Sequence, residues 1–167
     1  PLTVVHITTN GFLYDSIEEF CEQRNRKVPL QLLISVDGVG EKHNQIRGTD
    51  RAWTSVMETI ERLHHRKKEL RMQIMVNQTI VDEEGANQYR ELRQLLEKYG
   101  IRNNIVMAYD ESATYSLTRD QDIAPAEIGQ FTTFGNFGPD KLEKLFDQVD
   151  EDAKSLPFLE LVAKQYY

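Results

Sequence analysis

The distribution of apolar and polar residues along the chain predicts four β-strands separated by helices. Four short runs rich in aliphatic and β-branched residues begin, in order, at Leu2, Leu30, Arg71 and Asn104. The run from Leu30 to Val36 is almost continuously apolar, as expected for a strand that is covered on both faces. The turn-forming pairs Asn10-Gly11 and Asp37-Gly38 follow the first two strands.

Between these runs, apolar residues recur at helical spacing. The second predicted helix spans Ala52 to Lys68, and its apolar positions fall on one face: Trp53, Val56, Met57, Ile60 and Leu63. A third helix begins near Ala86 and places Gly100 at its C′ position, where a left-handed residue ends many helices. The polar, glycine-containing stretch from Asp37 to Gly48 predicts a loop.

Strands that alternate with helices are typical of βαβ crossovers and a parallel sheet, so the predicted fold class is α/β. The predicted strand starts at residues 2, 30, 71 and 104 are separated by 28, 41 and 33 residues, the length of single β/α units. Such units occur in barrels and in doubly wound sheets. We favour a partial (β/α) barrel over residues 1–110, because 167 residues cannot hold a complete barrel of roughly 200–250 residues or more.

Residues 111–138 show no periodicity and are interpreted as an irregular connecting segment. Three phenylalanines within 131–137 suggest that this segment docks onto something else. Pro139 begins a further helix that the acidic residues 150–152 are expected to interrupt, and 156–167 is a last short helix. We interpret 139–167 as C-terminal helices that lead to an absent module.

Composition narrows the function classes. The 20 basic and 27 acidic residues give a net charge of −7, which weighs against a nucleic-acid partner. No apolar run approaches the roughly 18 residues of a membrane span, so no membrane partner is expected. A single cysteine, Cys21, favours a reducing, cytoplasmic location. The chain opens inside a strand, which suggests an excised segment lacking N-terminal units.

Polar clusters follow the predicted strands, at the edge where parallel α/β folds bind ligands. They contain Thr9 and Asn10, then Ser35 and Asp37, then Asn77, and finally residues 109–111. Ser35 and Arg47 could converge on a ligand carboxylate, because a guanidinium offers two parallel donors. An equally acceptable interpretation pairs Arg47 with Glu41 or Asp50 on the surface.

Two of these clusters resemble a known family. The sequences ITTNG at 7–11 and ISVDGVGEKHNQIRG at 34–48 are similar to the third and fourth strands of radical S-adenosylmethionine (SAM) barrels. The sequence VNQTIV at 76–81 resembles the fifth strand. The resemblance covers roughly residues 2–110 and is nearest to the maturase-like branch with C-terminal auxiliary iron–sulfur clusters.

The resemblance implies that Ser35 and Arg47 hold the carboxylate of SAM, in a turn shaped by Asp37 and Gly38. It implies further cofactor-binding roles for Thr9, Asn10 and Asn77. The family also carries a 4Fe–4S cluster on a CxxxCxxC loop, whereas Cys21 is the only cysteine here and fits a small buried apolar residue. We therefore expect no metal ligands or catalytic residues in this chain, and an inactive fragment of an enzyme that cleaves SAM and abstracts hydrogen from a small molecule or peptide.

Two alternatives stay open. The chain could belong to another parallel α/β enzyme that binds an anionic metabolite, with Arg47 as the anion clamp. It could also be a non-catalytic interaction domain that uses the aromatic residues of 131–137. An incomplete barrel exposes sheet edges, so self-association of the fragment is expected under the first interpretation.

Overall fold

A computed structural model describes residues 3–107 and 139–154, with the side chains of 107, 139 and 152–154 left aside. The fold is α/β, as predicted. The strands are β1 (Val5–Thr9), β2 (Leu30–Val36), β3 (Met72–Ile80) and β4 (Arg102–Met107). The helices are α1 (Tyr14–Gln23), α2 (Glu41–Arg47), α3 (Ala52–Arg66), α4 (Glu83–Asn87), α5 (Tyr89–Glu97) and α6 (Pro139–Lys154).

The four strands form one parallel sheet in the order β1-β2-β3-β4. Thr9 lies opposite Ile34, Ser35 lies opposite Asn77, and Asn77 lies opposite Asn104. Because the strands are parallel and sequential, their carboxyl ends lie at one edge of the sheet. Right-handed crossovers between such strands place the connecting helices on one side.

The hydrophobic core lies on that side, between the sheet and helices α1, α3 and α5. Leu32, Ile34 and Val76 project from the sheet, and all are at most 1% exposed. The helical contribution consists of Tyr14, Cys21, Val56, Ile60, Leu63, Leu92 and Leu96. The helix predicted from Ala52 to Lys68 is α3, and its predicted apolar face is confirmed. Cys21 is fully buried, and burial raises the pKa of its thiol.

The other face of the sheet is not covered within the described residues. Along β2, Leu30, Leu32, Ile34 and Val36 are buried, whereas Gln31, Leu33 and Ser35 are only partly buried. The expectation that this strand is buried on both faces is therefore wrong for the described part of the chain. We call this second surface the open face. It also carries Asn77 and Asn104, because Asn77 is paired with Ser35 and Asn104 is paired with Asn77, and paired residues point to the same side of the sheet.

Local structure confirms one helix end and corrects two other expectations. Gly100 has φ +61°, and the amides of Gly100 and Ile101 donate to the carbonyls of Glu97 and Leu96, the pattern of a left-handed helix terminus. The predicted loop between Asp37 and Gly48 instead contains α2. Residues 150–152 do not interrupt the last described helix, because α6 continues through them.

The segments 109–111, 131–137 and 156–167, on which further predictions were made, lie outside the described residues. Within the described ranges, every helix is too short or too polar to cross a membrane.

Candidate functional site

A row of polar side chains crosses the open face near the carboxyl ends of the strands. Ser35, Asn77 and Asn104 occupy adjacent positions on β2, β3 and β4. The amide of Asn104 donates to Oδ1 of Asn77 at 3.2 Å. All three are partly buried. Two of the predicted site residues, Ser35 and Asn77, are therefore brought together, and Asn104 extends the row.

The neighbouring Gln78 has a different role. Its side chain lies on the covered face, where it is fully buried. Nε2 donates to the carbonyl of Gly85 at 2.9 Å, and Oε1 accepts from the amide of Asn103 at 2.9 Å. Gln78 thus fixes α4 and β4 to the end of β3, and it is not part of the open face.

Asp37 and Arg47 form an ion pair directly after β2. Asp37 is 3% exposed. Nη2 of Arg47 donates to Oδ1 at 3.0 Å. Nε lies 2.5 Å from Oδ2, but the angle at its hydrogen is unsuitable for a hydrogen bond. Helix α2 creates this pair, because it turns the chain back over the strand end. Arg47 is therefore paired with neither Glu41 nor Asp50.

His43 lies beneath this ion pair. It is fully buried, and its ring makes edge contacts with Phe12 and Trp53. The backbone amide of Asp37 donates to Nδ1 at 3.1 Å, so Nδ1 is unprotonated. Burial lowers the pKa of His43 to about 4, although the Asp37 carboxylate opposes this effect. The imidazole is therefore neutral near pH 7, with its proton on Nε2, which has no partner within the described residues.

The loops after β2 and β3 are tied to each other. Nζ of Lys42 lies 2.5 Å from Oδ2 of Asp82 and 3.0 Å from Oε2 of Glu84. Oε1 of Gln88 accepts from the amide of Val39 at 2.7 Å. Burial alone would raise the pKa of Asp82, but the hydrogen bonds from Lys42 and from the backbone of Gly85, together with the charge of Lys42, hold that pKa below its usual value. These contacts hold the rim of the site in place.

At Gly38 the same rim has no room for a side chain. A Cβ there would lie 2.6 Å from Cγ of Lys42 and 2.8 Å from Oε1 of Gln88. Both neighbours are held by their own partners, so neither can move away freely. The Asp37-Gly38 turn thus requires glycine because of close packing.

Thr9 and Asn10 stabilise the turn after β1. Oγ1 of Thr9 accepts from the amide of Gly11 at 3.2 Å, and Oδ1 of Asn10 accepts from the amide of Phe12 at 3.2 Å. Thr9 lies opposite Ile34, so its side chain is on the covered face. The structure therefore places Thr9 on the opposite side of the sheet from Ser35 and Asn77, whereas Asn10 is exposed at the rim.

Sequence reasoning missed His43, Gln88 and Asn104. The Asn103-Asn104 pair was a usable signal, because asparagine is depleted in strands. His43 could not have been placed without knowing that α2 is a helix. No sequence signal connects Gln88 with Val39, since their contact depends on how two loops meet.

The described residues contain no cluster of three or more His, Cys, Asp or Glu side chains able to hold an ion. The single cysteine of the sequence cannot supply three thiolates to an iron–sulfur cluster.

Comparison of the sequence with models of known protein families and with curated proteins finds no match.

Proposed function

We propose that this chain is part of a radical SAM barrel and contributes the rim that binds SAM. The observation that carries the proposal is the polar row of Ser35, Asn77 and Asn104 on the open face, with the guanidinium of Arg47 held by Asp37 directly after the same strand as Ser35. The sequence motifs at 7–11, 34–48 and 76–81 resemble that family and contribute residues to this region.

The strand order supports a barrel more than a doubly wound sheet. A doubly wound sheet reverses its strand order once and carries helices on both faces. Here the order is sequential, and α1, α3 and α5 all contribute to one core on one side. A sheet of this kind closes into a barrel when further units are added, and its open face becomes the barrel interior.

The side chains suit a small polar ligand. Nη2 of Arg47 donates to Asp37, and Nη1 has no partner within residues 3–107 and 139–154. In our proposal Nη1 and the hydroxyl of Ser35 donate to the ligand carboxylate, and the amide of Asn77 contacts the adjoining part of the ligand. Asp37 positions Arg47 and balances its charge, which suits SAM because SAM already carries a sulfonium cation.

In the intact enzyme, a 4Fe–4S cluster held outside this chain would supply the electron that cleaves SAM. The residues of this chain would bind and orient SAM and exclude water, while the substrate, a small molecule or peptide, would face the same open surface. We also propose a cytoplasmic setting, which is supported by the single cysteine, buried as a thiol. By itself the chain is proposed to bind SAM weakly and to be inactive.

Calorimetric titration of the chain with SAM tests this proposal. We expect weak, saturable binding, and Ser35→Ala should weaken it about tenfold because a hydrogen bond to a charged group is lost. Ser16→Ala is the matched control, since this serine is exposed on α1, on the covered side of the sheet, and its loss should leave the affinity unchanged. Equal losses in both variants, or no binding of SAM, would contradict it.

A further inference from the structure

The end of the sheet opposite the rim carries a second, basic site. A groove of about 1050 Å³ lies at the amino ends of the strands. Four of its lining residues are Lys67, Lys68, Arg71 and Arg102, and within the described residues no Asp or Glu lines it. The whole chain has 27 acidic and 20 basic residues, so this local excess of positive charge runs against the overall balance.

Six cations outside the groove pair with carboxylates in the described ranges: Lys42, Arg47, Arg62, Arg66, Arg90 and Lys141. Arg66, for example, contacts Glu18, Glu22 and Glu69. In the groove, Lys67 donates to the carbonyl of Tyr99 at 3.2 Å and so serves the fold. Lys68, Arg71 and Arg102 are exposed and have no acidic partner in the described ranges. Three cations are therefore available to a ligand at one place.

The backbone of Arg71 supplies an independent observation. Its φ is +47°, and it is the one residue other than glycine with positive φ among those described. Side chains disfavour this conformation, which recurs at binding and catalytic sites. The carbonyl of Arg71 accepts from Nη2 of Arg24 at 2.9 Å and from the amide of Leu30 at 3.3 Å. These bonds fix the backbone of Arg71, which lines the groove.

The spacing of the cations favours an extended anion. Arg71 precedes Met75 by four residues, and Met75 lies opposite Arg102. At about 3.3 Å per residue, the two arginine positions are separated by about 13 Å along the sheet. A chain of phosphates can contact both side chains more readily than a single phosphate can.

The floor of the groove suits an apolar or aromatic ring. Met75 is partly exposed and contributes to its lining, and a thioether packs well against aromatic rings. Beside it, Nε2 of Gln31 donates to Oε1 of Gln73 at 3.0 Å, which leaves further amide groups for the edge of a base. The volume is that of a typical small-molecule site.

We infer that this groove binds a phosphate-bearing small molecule of nucleotide size. Its phosphates lie against Lys68, Arg71 and Arg102, and its ring lies against Met75. The site is separate from the SAM rim, and its existence does not depend on the proposed function. It gives the chain a second ligand at the opposite end of the sheet.

Calorimetric titrations with ATP, tripolyphosphate, orthophosphate and adenosine test the inference. The informative variant combines Arg71→Gly with Arg102→Gln, because glycine adopts positive φ freely and the fold is preserved. The control combines Arg51→Gln with Lys144→Gln, which makes the same change in net charge at exposed residues outside the groove. Thermal denaturation of both double variants confirms that each remains folded.

We expect ATP to bind more tightly than tripolyphosphate, and tripolyphosphate more tightly than orthophosphate. The groove variant should weaken ATP binding at least about tenfold, since contacts to charged groups are lost, whereas the control should match the wild-type chain. Higher salt should weaken binding as well. The inference is overturned if ATP does not bind, if adenosine binds as tightly as ATP, or if the control loses as much affinity as the groove variant.

Discussion

The carboxylate of Asp37 lies against the guanidinium of Arg47, with Nη2 of Arg47 at 3.0 Å from Oδ1, and the pair closes helix α2 over the end of β2. The side chain of Asp37 is 4% exposed and that of Arg47 is 27% exposed. Water therefore screens the pair only in part. This contact fixes the direction of the one guanidinium that the proposed SAM site uses.

Replacing Asp37 with asparagine should destabilise the fold by about 2–3 kcal/mol, between the values for exposed and fully buried pairs. Urea denaturation measures the change in the free energy of unfolding. The control is Glu151→Gln, which breaks the exposed pair with Arg90 and should cost less than about 0.5 kcal/mol. Equal effects of the two substitutions would show that the Asp37–Arg47 contact does not stabilise the fold.

The buried His43 should make the fold less stable as the pH falls. Its folded-state pKa of about 4 lies below the unfolded value of 6.5, so the unfolded state takes up a proton first. The stabilisation is complete above pH 6.5 and is lost progressively down to about pH 4. At about 1.4 kcal/mol for each pKa unit, the loss is roughly 3 kcal/mol.

The variant His43→Gln, which retains a neutral acceptor for the amide of Asp37, isolates this effect. Unfolding free energies of both proteins are measured at several pH values across that interval. The wild-type curve should fall more steeply with decreasing pH than the curve of the variant. Parallel curves would mean that His43 does not titrate differently in the folded and unfolded states.

Alanine substitutions at two glycines with positive φ distinguish the cost of backbone strain from the cost of overpacking. At Gly11, with φ +74°, a Cβ would lie 2.8 Å from Cγ2 of Val56 and 3.0 Å from Cγ2 of Ile34. At Gly100, with φ +61°, a Cβ would meet no atom within 4 Å. Gly100→Ala should therefore cost about 1 kcal/mol, from the left-handed conformation alone.

Gly11→Ala should cost a further 1–3 kcal/mol or so, because the added methyl group overpacks the core at α3. Thermal denaturation of both variants gives the comparison. A smaller loss for Gly11→Ala than for Gly100→Ala would contradict the close approach of β1 to α3 at this turn.

The sheet edges predict self-association of the chain. Within the described residues β1 and β4 are edge strands, and Val106 on β4 is 42% exposed. Sedimentation velocity at increasing protein concentration should show species larger than a monomer. Val106→Lys should reduce them, because a charge on an edge strand opposes pairing between chains. A monomer at every concentration would contradict this prediction.

Much of the fold was predictable because periodicity reports burial directly. The apolar stripe on α3 was identified from sequence and packs against the core, whereas the nearly continuous apolar run of β2 predicted burial on both faces and the structure shows burial on one. Helix α2 was missed because its seven residues are mostly polar and bury one side chain, His43. It is held by tertiary contacts with Phe12 and Trp53, which no local pattern reveals.

The site was predictable only in part for the same reason. The proximity of Ser35 and Asn77 can be predicted once the strand register is known, because paired residues of neighbouring strands face the same side of the sheet. Arg47 meets Asp37 because α2 reverses the chain, and a sequence interpreted as a loop there could offer only Glu41 or Asp50. Thr9 was grouped with Ser35 because strand ends were considered without their faces, and the register places it on the covered side.

Mapping SAM by amide chemical-shift changes in NMR spectra of the chain tests the central claim most directly. The account predicts that the largest changes occur at Ser35, Arg47 and Asn77, and that Ser35→Ala reduces them together. Amides lining the groove at the amino ends of the strands should be unaffected. Changes confined to that groove, or no changes at millimolar SAM, would contradict the assignment of this rim to SAM binding.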